Sequence, residues 1–307
     1  ISLIPDNTGK YWIVSVEGTT PLNTQGGGTI TDWEVGDWAI ISEDLNDNIF
    51  WDKIDNSSVL TGQGTPGNLA IWTTDSELGD APVKLGAGNV SLIFNNSSIA
   101  DGDYSNALGD NSIANGTASI AVGTNAQTDG NNSISVGSGT FSIGNGSIAM
   151  GLNSIATGDG SVAMGGDVNA DGSRSVAMGN GTTASGGSSF AVGLNTVASG
   201  DASVALGQGT QASDDNATAI GLLTIADAPG AFSLGTQTNA LGNNSLAGGD
   251  GSLSDGLAAF SFGGQTQAQA DFAVAMGVLT NATGDGSVAL GKSTTASADY
   301  STAMGDG

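Results

Sequence analysis

A chain of 307 residues could hold two ordinary domains, yet it contains 51 Gly while 38% of it is apolar, a balance that suits neither a flexible linker nor an ordinary globule and points to a repeat with frequent turns. Five Lys+Arg against 30 Asp+Glu give a net charge of −25, which excludes a basic nucleic-acid face. With no Cys and no His, there is no disulfide framework, no thiolate metal site and no Ser-His-Asp or Cys-His catalysis.

No apolar run approaches the roughly 20 residues that span a bilayer, so membrane insertion of this segment is not expected. No secretory leader is visible, although the sequence starts at Ile1 rather than Met. All five Trp and all four Glu lie before residue 80, and such a shift in composition marks a domain boundary.

Residues 1–58 read as a small antiparallel β domain. Tyr11 to Val16 is aromatic and β-branched, a strand pattern. Trp33-Glu34-Val35-Gly36-Asp37 leads through a Gly-Asp turn into a second strand, Trp38 to Ile41. Asn46-Asp47-Asn48 is a further turn before the strand Ile49 to Ile54. Trp33, Trp38 and Trp51 are the aromatics expected to form a small core, or alternatively a sugar-stacking surface. Residues 59–98 read as a connector, with turn punctuation from Thr61 to Gly67 and short strands at Leu69–Trp72 and Val90–Phe94.

Residues 99–307 are a tandem repeat. Glycine recurs every 14 residues from Gly109 through Gly165 and Gly193 to Gly305, fifteen times without a slip. An apolar-small-apolar triplet precedes most copies, as in Ser161-Val162-Ala163-Met164-Gly165. Half a repeat away stands a weaker glycine column, Gly102 through Gly200, replaced later by Asp214, Ala228, Ala270 and Ala298. Two residues before it comes a small side chain such as Ala156 or Ala170. Helical solenoids need more than about 30 residues per repeat. Fourteen fit one β coil, read as two five-residue strands joined by tight turns, with Asn111, Asn125, Asn153 and Asn195 at positions suited to positive φ. Coils stacked about 4.8 Å apart make a rod of roughly 70 Å.

So narrow a coil has room inside for small side chains only, which places both Ala columns within it. The larger column then faces outward: Ile120, Val122, Ile148, Met150, Val162, Met164, Val176, Met178, Phe190, Val192, Val204 and Leu206. An apolar stripe of that length exceeds what a soluble monomer exposes. These residues are therefore the expected interface of an obligate oligomer. The competing arrangement is a wider monomeric solenoid with the large residues inside.

The Ser-x-Ala-x-Gly pattern with its partner Ala-x-Gly resembles the head repeats of trimeric autotransporter adhesins over residues 99–307. That resemblance implies a left-handed parallel β-roll assembled as a homotrimer on an extracellular surface. Residues 1–98 resemble modules of bacteriophage tail fibres, through Tyr11–Thr20, Trp33–Ile40, Trp51–Ile54 and the Gly64–Trp72 linker. They imply a virion tail appendage whose partners are other fibre subunits and a host glycan or protein receptor. The bacterial outer surface is the alternative.

No catalytic residue and no cofactor are expected. Asp103, Asp159, Asp201, Asp215, Asp271, Asp285 and Asp299 share one repeat position, which reads as a turn column rather than as the paired carboxylates of a glycosidase. The same oxygens suit weak Ca²⁺ binding or diffuse counterions. Thr157, Thr183 and Thr283 are too scattered for an ice-binding ladder.

Overall fold

The computed structural model describes residues 97–307 throughout and, before them, only the backbone of the strands named below. The chain divides into two compact units, Ile1–Lys84 and Leu85–Gly307.

In the first unit, Tyr11–Ile13, Trp38–Glu43 and Ile49–Ile54 form a three-stranded antiparallel sheet. Its register sets Trp12 opposite Ala39 and Ile41 opposite Trp51. Leu22–Asn23 pairs antiparallel with Thr29–Ile30, and Asn68–Trp72 with Leu78–Leu85. The β-branched and aromatic runs of the sequence are where these strands fall. Trp33 and the Asn46-Asp47-Asn48 turn lie outside the described residues.

The second unit is a parallel β-solenoid. Each 14-residue coil contributes one strand to each of two sheets. Val162–Gly166 and Asn169–Ala170 are the two strands of one coil. Val162 pairs with Val176 of the following coil, Ala163 with Ala177, and Gly165 with Gly179. Asn169 pairs with Thr183, and Ala170 with Ala184. The short-strand sheet has 15 strands, from Ile99–Ala100 to Thr295–Ala296. The long-strand ladder begins earlier, where Leu92–Ile93 pairs with Asn106–Ala107, and runs to Thr302–Asp306.

The two strands of a coil are unequal, five residues against two, where the sequence suggested five each. The difference lies in the turns. A broad one, Asp171 to Arg174, takes up residues that would otherwise extend the short strand. It is tied to the rest of the coil by the bond from the Ser175 N–H to the Gly172 carbonyl at 3.1 Å. Each coil also needs left-handed backbone at two positions besides the main glycine column. One falls where sequence spacing placed it, at Asn111, Asn125, Asn153 and Asn195, with φ of 51–55°. The other follows the half-repeat glycine and carries Tyr104, Arg174, Phe272 and Tyr300 among others. Side chains other than Gly and Asn pay roughly 1–2 kcal/mol for this conformation. The coil recovers it through bonds to the preceding coil, such as the Asp167 N–H to the Leu152 carbonyl at 2.9 Å and the Arg174 N–H to the Asp159 carbonyl at 2.8 Å.

The main glycine column is required on two counts. Gly165 has φ +139°, and a Cβ there would lie on the carbonyl oxygen of Gly179 in the next coil. No residue with a side chain adopts that backbone without strain.

Both Ala columns are inside, and Ala163, Ala170, Ala177 and Ala184 are fully buried. The largest fully buried side chain among the described residues is Val168. A wide solenoid with Leu, Met and Phe inside is therefore excluded. The corners of the coil are filled by two further columns that the sequence reading did not single out. Ser161, Ser175 and Ser203 precede the long strand, and Thr182, Thr196, Thr210 and Thr224 follow it. The chain thus does carry a threonine ladder, but it lies inside the coil. Where this second column is serine, the hydroxyl bridges coils, as Ser154 Oγ donates to the Gly165 carbonyl at 3.0 Å.

Serine replaces the inner alanine in a few coils and divides the alanine core into three stretches. Ser135 Oγ donates to the Gln127 carbonyl and Ser142 Oγ to the Ile134 carbonyl, each at 2.6 Å. These bonds cross between the two sheets. They satisfy hydroxyls that would otherwise be costly to bury.

Candidate functional site

The outer face of the long strands follows from the inner one. Side chains alternate along a strand, so fixing Ala163 inside turns Val162 and Met164 outward, half-buried by their neighbours in the stack. The same holds for Val122, Ile148, Met150, Val176, Met178, Val192, Val204 and Leu206, while Ile120 and Phe190 are more exposed at 36% and 39%. The structure brings all twelve residues onto one face, in two columns in parallel register.

The stripe changes character at one place. Gly248 stands in the column of Met164 and Met178, and Phe262 follows it one coil later. A Cβ at Gly248 would press into the Phe262 ring, so the ring lies back over the glycine and buries it. Phe262 also stacks on Phe260, with centroids 6.5 Å apart, and remains 44% exposed. The sequence signal was present in the departure of Gly248 from its column. Its meaning depends on contacts between successive coils.

The seven-aspartate column lies on the broad turn and is exposed in most coils. Its oxygens tie coils together: the Asn145 N–H donates to Asp159 Oδ1 at 2.8 Å, Gly187 N–H to Asp201 Oδ1 at 2.7 Å, and Asp285 N–H to Asp299 Oδ1 at 3.0 Å. Asp215 and Asp271 do the same. Where the column is Asn, as at Asn131, the side chain accepts in the same way. The carboxylates of Asp159, Asp201, Asp215, Asp271 and Asp299 thus complete the hydrogen bonding of a turn. Among the described residues no three acidic side chains converge to enclose a metal ion, and no helix is long and apolar enough to cross a membrane. Of the sequence-selected aromatics, Trp38 and Trp51 fall on adjacent strands of the first unit; Trp33 lies outside the described residues.

The family model described as the YadA head domain repeat matches residues 96–119, 114–140, 142–167, 170–196, 198–223, 226–252 and 282–307. The chain belongs to the YadA head-repeat family. The resemblance to adhesin head repeats seen in the Ser-x-Ala-x-Gly pattern therefore holds across the solenoid. Between the last two matched stretches the YadA-type coils continue without a break, Leu253 pairing with Gln267 and Phe260 with Val274. That interval contains Ser254 and Ser261 in the inner columns and Phe262 in the outer one. No curated protein matches the chain significantly.

Proposed function

We propose that the chain is the rod of a homotrimeric, adhesive extracellular fibre that holds a host-contacting surface away from the particle or cell bearing it. The carrying observation is the outward stripe of the long strands, apolar in both columns in most coils. Fully burying such a side chain contributes about 1.5–3 kcal/mol, and roughly half of that remains to be gained where the stack already half-covers it. Two residues per coil over the whole rod sum to tens of kcal/mol, against about 4–15 kcal/mol for immobilising a partner. Association therefore dominates. Three chains, rather than two, is what membership in a trimeric adhesin family supports. Light scattering of the soluble chain at micromolar concentration tests it: three times the chain mass is expected, and a stable monomer would refute the reading.

The role is structural and adhesive rather than enzymatic, since the abundant carboxylates serve the turns. The finer placement is a virion tail appendage, assembled with other fibre subunits and attaching to a host glycan or protein. It rests on the resemblance of residues 1–98 to tail-fibre modules. The second reading is the head of a bacterial surface adhesin, which family membership favours. Antibody labelling decides between them by decorating either phage tails or the bacterial envelope.

A further inference from the structure

Three sheets facing a common axis form a triangle. In a cyclic trimer the end of each long strand then meets the start of its neighbour's, a closed head-to-tail contact. Two turn columns flank the long strand and would form these corners. The leading one carries Arg174, Phe272 and Asp285; the trailing one carries Asp167 and Leu279, and Lys292 ends the long strand just before it. Seven residues, half a coil, separate equivalent positions, so a trailing turn stands about 2.4 Å above its own leading turn. Each trailing residue therefore sits level with the gap between two successive leading turns of the neighbouring chain.

The residues at these levels are complementary. Between residues 97 and 307 the chain has only two cations, Arg174 and Lys292; Arg174 lies on the leading turn and Lys292 at the strand end that enters the trailing one. Asp167 is level with the gap between the neighbour's Gly160 and Arg174. Lys292 is level with the gap between the neighbour's Asp285 and Asp299. In its own chain Lys292 only approaches Asp306, at 4.0 Å, with both side chains largely exposed, a pairing worth little in water. Three exposed apolar side chains at these corners also share a level: Phe272 is 61% exposed, Val278 49% and Leu279 51%. Phe272 and Leu279 moreover hold left-handed backbone at φ 57° and 56°, where Gly or Asn would sit without strain.

We infer that the corners of this rod are a second interface with copies of the same chain, and that Arg174 with Asp167, Lys292 with Asp285 and Asp299, and Phe272 with Val278 and Leu279 set the axial register of the three chains. The inference rests on the trimeric reading. The stripe alone is nearly repetitive, so a one-coil stagger would cost it little. The corner pairs occur once each, and a one-coil stagger separates them by about 4.8 Å. Specificity of this kind comes from the few positions that break a repeat.

The chain has no cysteine, which permits a direct test on the full chain. Asp167→Cys with Arg174→Cys puts two thiols on opposite corners of their own chain but at one corner of the trimer. A disulfide needs Cα atoms within about 7 Å. Oxidation should give covalent dimers and closed trimers on a denaturing gel. Each single variant should stay uncrosslinked, because the contact is head-to-tail. The offset pair Asp167→Cys with Ala202→Cys, two coils out of level, should also stay uncrosslinked. Phe272→Cys with Leu279→Cys repeats the test at a second level. Crosslinking of the single variants or of the offset pair, or failure of both level pairs in a chain that light scattering shows to be trimeric, would overturn the corner register. A monomeric mass would instead overturn the trimeric reading beneath it.

Discussion

Replacing glycine by alanine in the two glycine columns should give very different results, although a Cβ would meet the next coil's backbone in both. In Gly193→Ala the new Cβ falls on the Gly207 carbonyl oxygen, and the residue must hold φ +139°. That backbone is almost confined to glycine and costs about 1–3 kcal/mol. Forcing successive coils apart adds about 1–3 kcal/mol, so roughly 2–6 kcal/mol per chain is expected. In Gly186→Ala the Cβ meets Gly200, but the backbone is one that any residue adopts. The chain itself carries Asp214, Ala228, Ala270 and Ala298 in that column, and strand pairing runs through them unbroken. Only the packing part remains, at most about 1–3 kcal/mol. Urea unfolding followed by circular dichroism measures both. Because a solenoid couples mainly nearest neighbours, the Gly193 variant should also broaden the transition as the rod melts on either side of the defect. If Gly186→Ala proved as damaging as Gly193→Ala, backbone conformation would not be what fixes the main column.

Met164→Asp places a charge on the outward stripe and should shift the chain from trimer to monomer by light scattering, while Ala163→Leu overfills the coil and should lower stability by at least about 1–3 kcal/mol. Among the described residues Ser161 Oγ has no hydrogen-bond partner, and the same column carries Ala217, Ala231, Ala259 and Ala273, all buried. Ser161→Ala should therefore be neutral or stabilising by up to about 1 kcal/mol in urea unfolding; a clear loss of stability would mean that the hydroxyl is bonded. Asp201→Asn keeps the oxygen that receives the Gly187 N–H and should change stability by less than about 0.5 kcal/mol, whereas Asp201→Ala should cost about 0.5–1.5 kcal/mol. At a net charge of −25 per chain, the assembly should melt at higher temperature in 0.5 M than in 0.01 M NaCl, as salt screens the repulsion between like charges; a Tm indifferent to salt would show the acidic groups too dispersed to matter.

Much of this architecture is written in one spacing. A glycine every 14 residues requires a coil of that length, because identical close approaches recur only when identical backbones stack. Side-chain volume then decides what is inside: columns of alanine fit a coil two strands wide, and columns of methionine, valine and phenylalanine do not. The outward stripe therefore followed from composition and alternation alone. Tertiary structure decided what depends on contact between residues 14 apart. It divided each coil unequally between its strands, because the N–H groups of the broad turn, those of Asp171, Gly172 and Arg174, are satisfied by carbonyls of neighbouring coils. It put left-handed backbone under Arg174 and Phe272, which no local preference of those residues indicates. It laid Phe262 over Gly248 and moved the threonine ladder to the inside of the corner. The sequence determined the period and the faces, since both are properties of one coil. Only the stacked structure decided the corners, since their side chains acquire partners when coils come together.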